Sequence, residues 1–231
     1  MKPTMLVREG DEVKVGTKLF EDKKNEGIFF TSPAGGEIKS INRGDKRKFL
    51  SVEIEISQKE QFIEYEFEDS IDSTKNNLIS SGLWNAFRTR PFNRTPAVND
   101  KPNAIFINCC DTNPLSADPL NIINLDKDYF DDGLKLITKL FDCKIHLCYQ
   151  SDDFECTNPQ IIYHQFCGPH PSGLSSTHIS NIYPVNLERI VWTIGYQDII
   201  SIGYLLANKS LRTYKYISLL SLIHISEPTR H

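Results

Sequence analysis

The 231-residue sequence lacks a glycine-rich phosphate turn: its 12 glycines nowhere fall as G-x-G-x-x-G, and no G-x-x-x-x-G-K run occurs. A dinucleotide or nucleoside triphosphate therefore has neither of the usual backbone cradles. A long uncharged apolar run is also missing. The most apolar window, Ile190 to Ala207, contains Gln197 and Asp198 and reads as a strand followed by a helix, not as a membrane span. Neither sign of charge dominates: 26 basic against 30 acidic residues give −4, with no overall pull toward nucleic acid or an anionic membrane. The six cysteines, at 109, 110, 143, 148, 156 and 167, form no CxxC pair and are too sparse for a disulfide scaffold, so a reducing cytosol is expected. In MKPTMLVREGD no apolar run follows the first lysine, and no secretory signal is expected.

What is present is enough apolar residue, 39%, to fill one large or two ordinary domains. Over residues 1–57, VREGDEVKVGTKLFED alternates apolar and charged residues, with Gly10 and Gly16 at turns that tolerate positive φ; SPAGGEIKSINRGDKR comes next, with Ile38 and Ile41 directed inward. The two halves resemble the lipoyl and biotinyl carrier fold, an incomplete β barrel-sandwich. In such carriers a hairpin lysine is acylated, and Lys23 in FEDKKNEG sits near that place; its other reading is a solvated turn lysine beside Lys24. The basic residues from Lys39 to Lys48 have no interleaved aromatics to stack bases, so no nucleic-acid partner is expected.

Residues 58–102 read as a solvated linker followed by a short helix and a loop, stopped at Pro91. From 103 to 219 the pattern changes to buried strands alternating with amphipathic helices. AIFINC, KIHLCYQ, QIIYHQF, RIVWTI and TYKYISL read as strands; one helix should bury Phe130, Leu134, Ile137 and Phe141, another Ile199, Ile202 and Leu206. This order predicts a Rossmann-like, largely parallel α/β domain after the β module. The tail 220–231, with LSLIHISEPTR, looks like translated sequencing-library adapter and is set aside as disordered.

Ligands of such a sheet gather at strand carboxyl ends, where CCDTNPLSADP and CGPHPSGLSSTH fall. Asp111, Thr112 and Asn113 are candidates there, with an Asx-turn as the plainer reading. Cys109 and Cys110 are adjacent in a strand, point opposite ways and make poor co-ligands. HQFCGPHPSGLSSTH spaces His164, Cys167, His170 and His178 as a zinc site would; alternatively Pro169 and Pro171 stiffen a loop in which His170 and His178 hydrogen-bond backbone. FRTRPFNR gathers Phe87, Arg88, Arg90, Phe92 and Arg94, the composition that suits a quinone ring and equally a partner interface. No acid–base or nucleophilic dyad is visible, so no catalytic residue is assigned.

KPTMLVREGDEVKVGTKLFEDKKNEGIFFTSPAGGEI, SGLWNAFRTRPFNRTPA, AIFINCCDTNPLSADP, FCGPHPSGLSSTHI and VWTIGYQDIISIG together are similar to the A subunits of bacterial Na+-translocating NADH:quinone reductases, over nearly all of residues 2–218. The resemblance implies a peripheral subunit on the cytoplasmic face of the inner membrane, docked on membrane-embedded and other subunits of a complex that uses NADH, flavins and iron–sulfur centres. It further implies ubiquinone nearby, no redox cofactor and no metal on this subunit, and a sequence that is a fragment of a longer one. Flavin-bearing relatives have a glycine-rich loop where this chain has SGLWNAFRTRPF, and Trp84, Phe87 and Arg88 are expected to put side chains where backbone would approach the flavin phosphate.

Overall fold

A computed structural model describes residues 3–59, 61–68, 70–155 and 158–218; Cys156 and the tail at 220–231 lie outside the described residues. The first part of the chain builds two small antiparallel sheets. One joins β1 (Pro3–Met5), β3 (Lys18–Asp22) and β4 (Phe29–Thr31), and the other joins β2 (Glu12–Val13), β5 (Gly36–Arg43) and β6 (Phe49–Ile56). Alternation puts Val7, Val13, Leu19 and Ile38 into their shared core, with Ile41 packed against it. Gly10 and Gly16 take φ of 88° and 92°, the left-handed turns their positions called for.

This β module is tied to the rest of the chain by backbone hydrogen bonds on both sides of Val15: Val15 N to Gln61 O at 2.8 Å and Ile63 N to Val15 O at 2.9 Å. Two side chains continue the seam, since Thr31 Oγ1 donates to Ser81 O and Asn85 Nδ2 to Phe29 O.

The second module is a five-stranded sheet. β8 (Ala104–Cys109), β9 (Lys144–Tyr149), β10 (Ile161–Gln165) and β11 (Val191–Gly195) are mutually parallel, and β7 (Arg88–Arg90) lies antiparallel on the edge, in the order β10-β9-β8-β11-β7. Odd positions of β8, Ile105, Ile107 and Cys109, enter the core beneath α1 (Ile71–Ser80), α2 (Pro119–Leu125), α3 (Lys127–Leu140) and α5 (Tyr196–Asn208). Even positions, Ala104 and Phe106, face the other side with Cys110, under α4 (Ser175–Ile182) and its neighbouring loops. Burial on both faces is what makes these strands read as unbroken apolar runs. Cys109 and Cys110 thus fall on opposite faces, as their adjacency requires.

α3 and α5 pack closely because Gly133 and Gly203 meet the partner helix; a Cβ on Gly203 would run into the Tyr129 carbonyl and one on Gly133 into the Ile199 carbonyl. An aromatic cluster of Trp84, Phe87, Phe141 and Trp192, with ring centroids 5.4–6.1 Å apart, closes the core beside them.

Several sequence expectations need correction. The helix expected just before Pro91 begins earlier, at Ile71, because Ser70 caps it by accepting from Ser73 N, and Pro91 instead follows edge strand β7. Phe141 lies just past the end of α3, although it still packs inward. In α5 it is Leu205 that is fully buried, and Leu206 only partly. The described part of that last expected strand, TYKYIS, is not a strand. Its alternating tyrosines stack on Arg212, with its guanidinium 4.2 Å from the Tyr214 ring and 5.5 Å from the Tyr216 ring, and Gln197 exchanges two hydrogen bonds with the Tyr216 backbone. The period of two belongs to a cation–ring stack and not to a ladder.

Candidate functional site

From β8 the sheet grows one way through β9 and β10, then the chain crosses back to set β11 on the other side of β8. Such a reversal opens a crevice outside the strand carboxyl ends. A cleft of about 600 Å3 lies there, lined by Asn108 near the end of β8 and Cys110 just after it, by Thr193 to Tyr196 where β11 becomes α5, and by Gly82, Leu83, Asn85 and Ala86 of the turn before β7. Arg88, Asp198 and Lys215 bring charge to it.

Each wall has a local cause. β11 passes into α5 with no intervening loop, so Gly195 is the N-cap and no side chain caps the helix. Asp198 sits in that first turn, where an acid suits the positive end of the helix, and Lys215 pairs with it at 2.6 Å. Asn108 Nδ2 donates to Gly173 O at 3.0 Å and Asn108 Oδ1 accepts from Cys110 N at 2.9 Å, which locks the strand-end loop to the GPHPSG loop. Thr193 Oγ1 donates to Arg88 O at 3.3 Å, and Arg88 Nη1 donates to Thr95 Oγ1 at 3.0 Å. Burial, and then Cys167, push the Cys110 thiol up to about 12, so it stays protonated and is no nucleophile. Burial also raises Tyr196 above the ordinary phenol range.

The FRTRPFNR residues do not converge. Phe87 is fully buried in the aromatic cluster, Arg88 faces the cleft, and Arg90, Phe92 and Arg94 lie toward the other end of β7, near the start of β11. Trp84 and Phe87 turn into the core and not toward the cleft, so the expected steric block is not of their making; Leu83, Asn85 and Ala86 stand there instead.

The strand-end candidates do meet one another. Asp111 Oδ1 accepts from Asn113 N at 3.0 Å and Asn113 Nδ2 at 2.7 Å, an Asx-turn. Thr112 Oγ1 lies 3.2 Å from His170 Nδ1 and accepts from Gly173 N at 3.1 Å. His178 is fully buried and donates from Nε2 to Ser172 O at 2.7 Å, anchoring loop backbone, whereas His170 meets a side chain and not backbone.

The four residues spaced like zinc ligands go to separate partners. His164 Nε2 meets His146 Nδ1, and exposed Cys167 lies with Sγ 3.7 Å from Gln150 O. Among the described residues no group of three or more His, Cys, Asp or Glu gathers as a metal site. Lys23 is exposed in the turn that joins β3 to β4. No helix among the described residues is long and apolar enough to cross a membrane.

Sequence reasoning missed Asn85, Asn108, Tyr196, Asp198 and Lys215. The direct passage from VWTIG to YQD marked a strand end at a helix start and could have flagged Tyr196 and Asp198. Lys215 gave no such signal, because it comes from a segment read as a strand.

Residues 1–57 match the family model described as the NqrA N-terminal barrel-sandwich hybrid domain, and residues 70–211 the model described as the NqrA second alpha/beta domain. The chain belongs to the NqrA family. Among its relatives, the NqrA subunit of the Na(+)-translocating NADH-quinone reductase of Yersinia pestis is 46% identical over 227 residues, and that of Neisseria meningitidis serogroup B is 48% identical over 230. The NqrA of Photorhabdus laumondii is 48% identical over 227 residues. Each match covers 95% of this chain and 51% of the relative, so the chain spans about half the length of the NqrA relatives it matches. The barrel-sandwich description fits the two facing β sheets, and the alpha/beta description fits the five-stranded sheet with its helices.

Proposed function

We propose that the chain works within the NqrA subunit of a Na+-translocating NADH-quinone reductase. It serves there as a peripheral component on the cytoplasmic face of the bacterial inner membrane, docked on the membrane-embedded and other subunits. Its role is to support quinone reduction without a redox cofactor or metal of its own. The observation that carries this reading is the switch-point cleft, which keeps the position of a ligand crevice but not the means of holding a phosphate. The Gly82–Ala86 turn presents Leu83, Asn85 and Ala86, and Asp198 occupies the first turn of α5, where an anion would otherwise be welcome.

The same cleft suits a neutral planar carbonyl compound better than a nucleotide. Leu83, Ala86 and Ile194 offer apolar wall, and Arg88 supplies a cation with spare donors. A quinone oxygen gains charge on reduction, and a guanidinium within reach stabilises that charge. Arg90, Phe92 and Arg94 are assigned instead to a contact surface, and the strand-end group Asp111, Thr112, Asn113, His170 and His178 to holding the cleft's far wall in place.

The test is NADH-driven ubiquinone reduction by the reconstituted complex, assembled with and without the complete NqrA, and with its Arg88→Gln form. Omission should abolish ubiquinone reduction while NADH oxidation by an artificial acceptor continues, and Arg88→Gln should raise KM for quinone without loss of assembly. Full ubiquinone turnover by a complex lacking NqrA would sink the reading.

A further inference from the structure

The net charge of −4 hides a segregation of charge. Where β11 begins and the turn after β7 runs, Arg90, Arg94 and Arg189 stand with no carboxylate paired to them among the described residues. Arg90 pairs with Val191 across the ladder, so the turn beginning at Pro91 lies beside Ile190. There the chain exposes large apolar side chains: Phe92 is 56% exposed, Leu187 78% and Ile190 36%.

The arginines are held ready for an anion. The Arg94 guanidinium lies 5.6 Å from the centre of the Phe92 ring and that of Arg189 5.8 Å from the Tyr183 ring, and Arg90 Nε is buried without an acceptor among the described residues. Guanidinium over an aromatic face is weakly hydrated and keeps its forked donors free for phosphate or carboxylate. The acids on this edge are Glu188, beside Arg189, and Asp100, whose Oδ2 already accepts from Ala97 N at 2.9 Å.

We infer that this edge of the sheet seats on an anionic membrane surface, with Phe92 and Leu187 entering the interfacial layer and Arg90, Arg94 and Arg189 meeting lipid phosphates. Two features favour lipid over a protein partner. The outer edge of β7 is closed by its own return, Thr89 N to Arg94 O at 2.7 Å and Asn93 N to Thr89 O at 2.6 Å, so a partner strand has no free edge to join. The apolar residues also stand singly on loops and turns instead of lining a groove, and aromatic and aliphatic tips flanked by arginine match the polarity gradient at headgroup depth. The cleft lies at the far end of β11, so the surface is a tether and not the entrance for quinone. The inference shares with the proposed function only the nearness of a membrane.

The test is co-sedimentation of the chain with vesicles of phosphatidylcholine alone, or mixed with phosphatidylglycerol, at low and high salt. Binding is expected to the mixed vesicles only, with release at high salt. Arg94→Gln and Arg189→Gln, at exposed positions, should each weaken it about five-fold, the factor matching about 1 kcal/mol per cation near an anionic surface. Phe92→Ala should weaken binding to the same vesicles, whereas Lys46→Gln with Arg47→Gln, on the β module, should leave it unchanged.

Four results would each overturn the inference: absence of vesicle binding; binding indifferent to Arg94→Gln and Arg189→Gln; retention on polyglutamate without vesicle binding, which would assign the edge to an acidic polypeptide; or loss of binding in full-length NqrA, which would mean that the rest of that protein covers the edge. Vesicle binding by an NqrA that the reductase does not need would leave this inference standing and remove the functional reading instead.

Discussion

His146 Nδ1 and His164 Nε2 lie 2.9 Å apart, joining β9 to β10 on the face beneath α4. His146 stacks on Phe106 at 4.8 Å between centroids, and its Nε2 is buried with no hydrogen-bond partner among the described residues. One proton is shared in the hydrogen bond between the rings, and charging His146 would place protons on both its nitrogens, one of them the partnerless Nε2 in an apolar site.

Acid should therefore loosen the sheet. Burial, then His164 and Lys144, push the His146 ring down to about 4; burial also lowers His164, and lowers His178 against the opposing pull of the Ser172 carbonyl. The unfolded chain takes up protons first, so this stability is fully present above an unfolded pKa of about 6.5 and is lost as pH falls toward 4. For His146 the loss is about 3 kcal/mol. Urea midpoints at pH 7, 5.5 and 4 should fall in that order, and His146→Phe should flatten the acid limb. Equal midpoints at pH 7 and 4 would show that the ring is not held neutral.

The α3–α5 crossing should not tolerate a methyl group. Gly203→Ala places Cβ against the Tyr129 carbonyl, which is backbone and cannot swing away. A loss of about 1–3 kcal/mol, the usual penalty for overpacking, should appear as a lower Tm, with Gly133→Ala similar. An unchanged Tm in both would mean that the helices can separate at no cost.

Arg212 and Asp126 form a 2.6 Å ion pair with side chains 0% and 9% exposed. Arg212→Met leaves Asp126 uncompensated and should destabilise by about 3–5 kcal/mol. The double change Arg212→Met with Asp126→Leu should recover much of that, since Arg212 Nε and Nη1 already lack hydrogen-bond partners among the described residues. A denaturant double-mutant cycle decides it, and additive losses would mean that the pair does not couple.

Gln197 is what holds the segment after α5, through Nε2 to Tyr216 O and Tyr216 N to Oε1, both at 2.9 Å. Gln197→Ala should raise amide exchange at Tyr216 at least ten-fold, the factor for about 1.4 kcal/mol. Exchange unchanged there would give the anchoring to the Lys215–Asp198 pair alone.

The parts of this fold that sequence revealed are those buried on two sides. AIFINC and VWTIG announce themselves because all but Asn108 and Thr193 are apolar or glycine, and α3 because Phe130, Leu134 and Ile137 recur at helical spacing. β7 is R-T-R, an edge strand with no apolar signature, and so went unseen. The cleft was only half legible. Its strand-end location follows from topology, but Asn85, Asn108 and Lys215 arrive from separate segments, and no local spacing records a meeting made by tertiary packing. Trp84 and Phe87 were misdirected because a short turn, unlike a helix or strand, has no period from which to read where a ring points.

Among the described residues β7 has β11 as its only neighbour in the sheet, and the two are about a hundred residues apart in the chain. A ribosome must make all of β8, β9 and β10 before the strand that joins β7 to them exists. Until then Phe87 and Trp84 have no Trp192 to close on, and the aromatic corner stays open to solvent or to a chaperone. Completion of this sheet thus waits on the arrival of Val191 to Gly195.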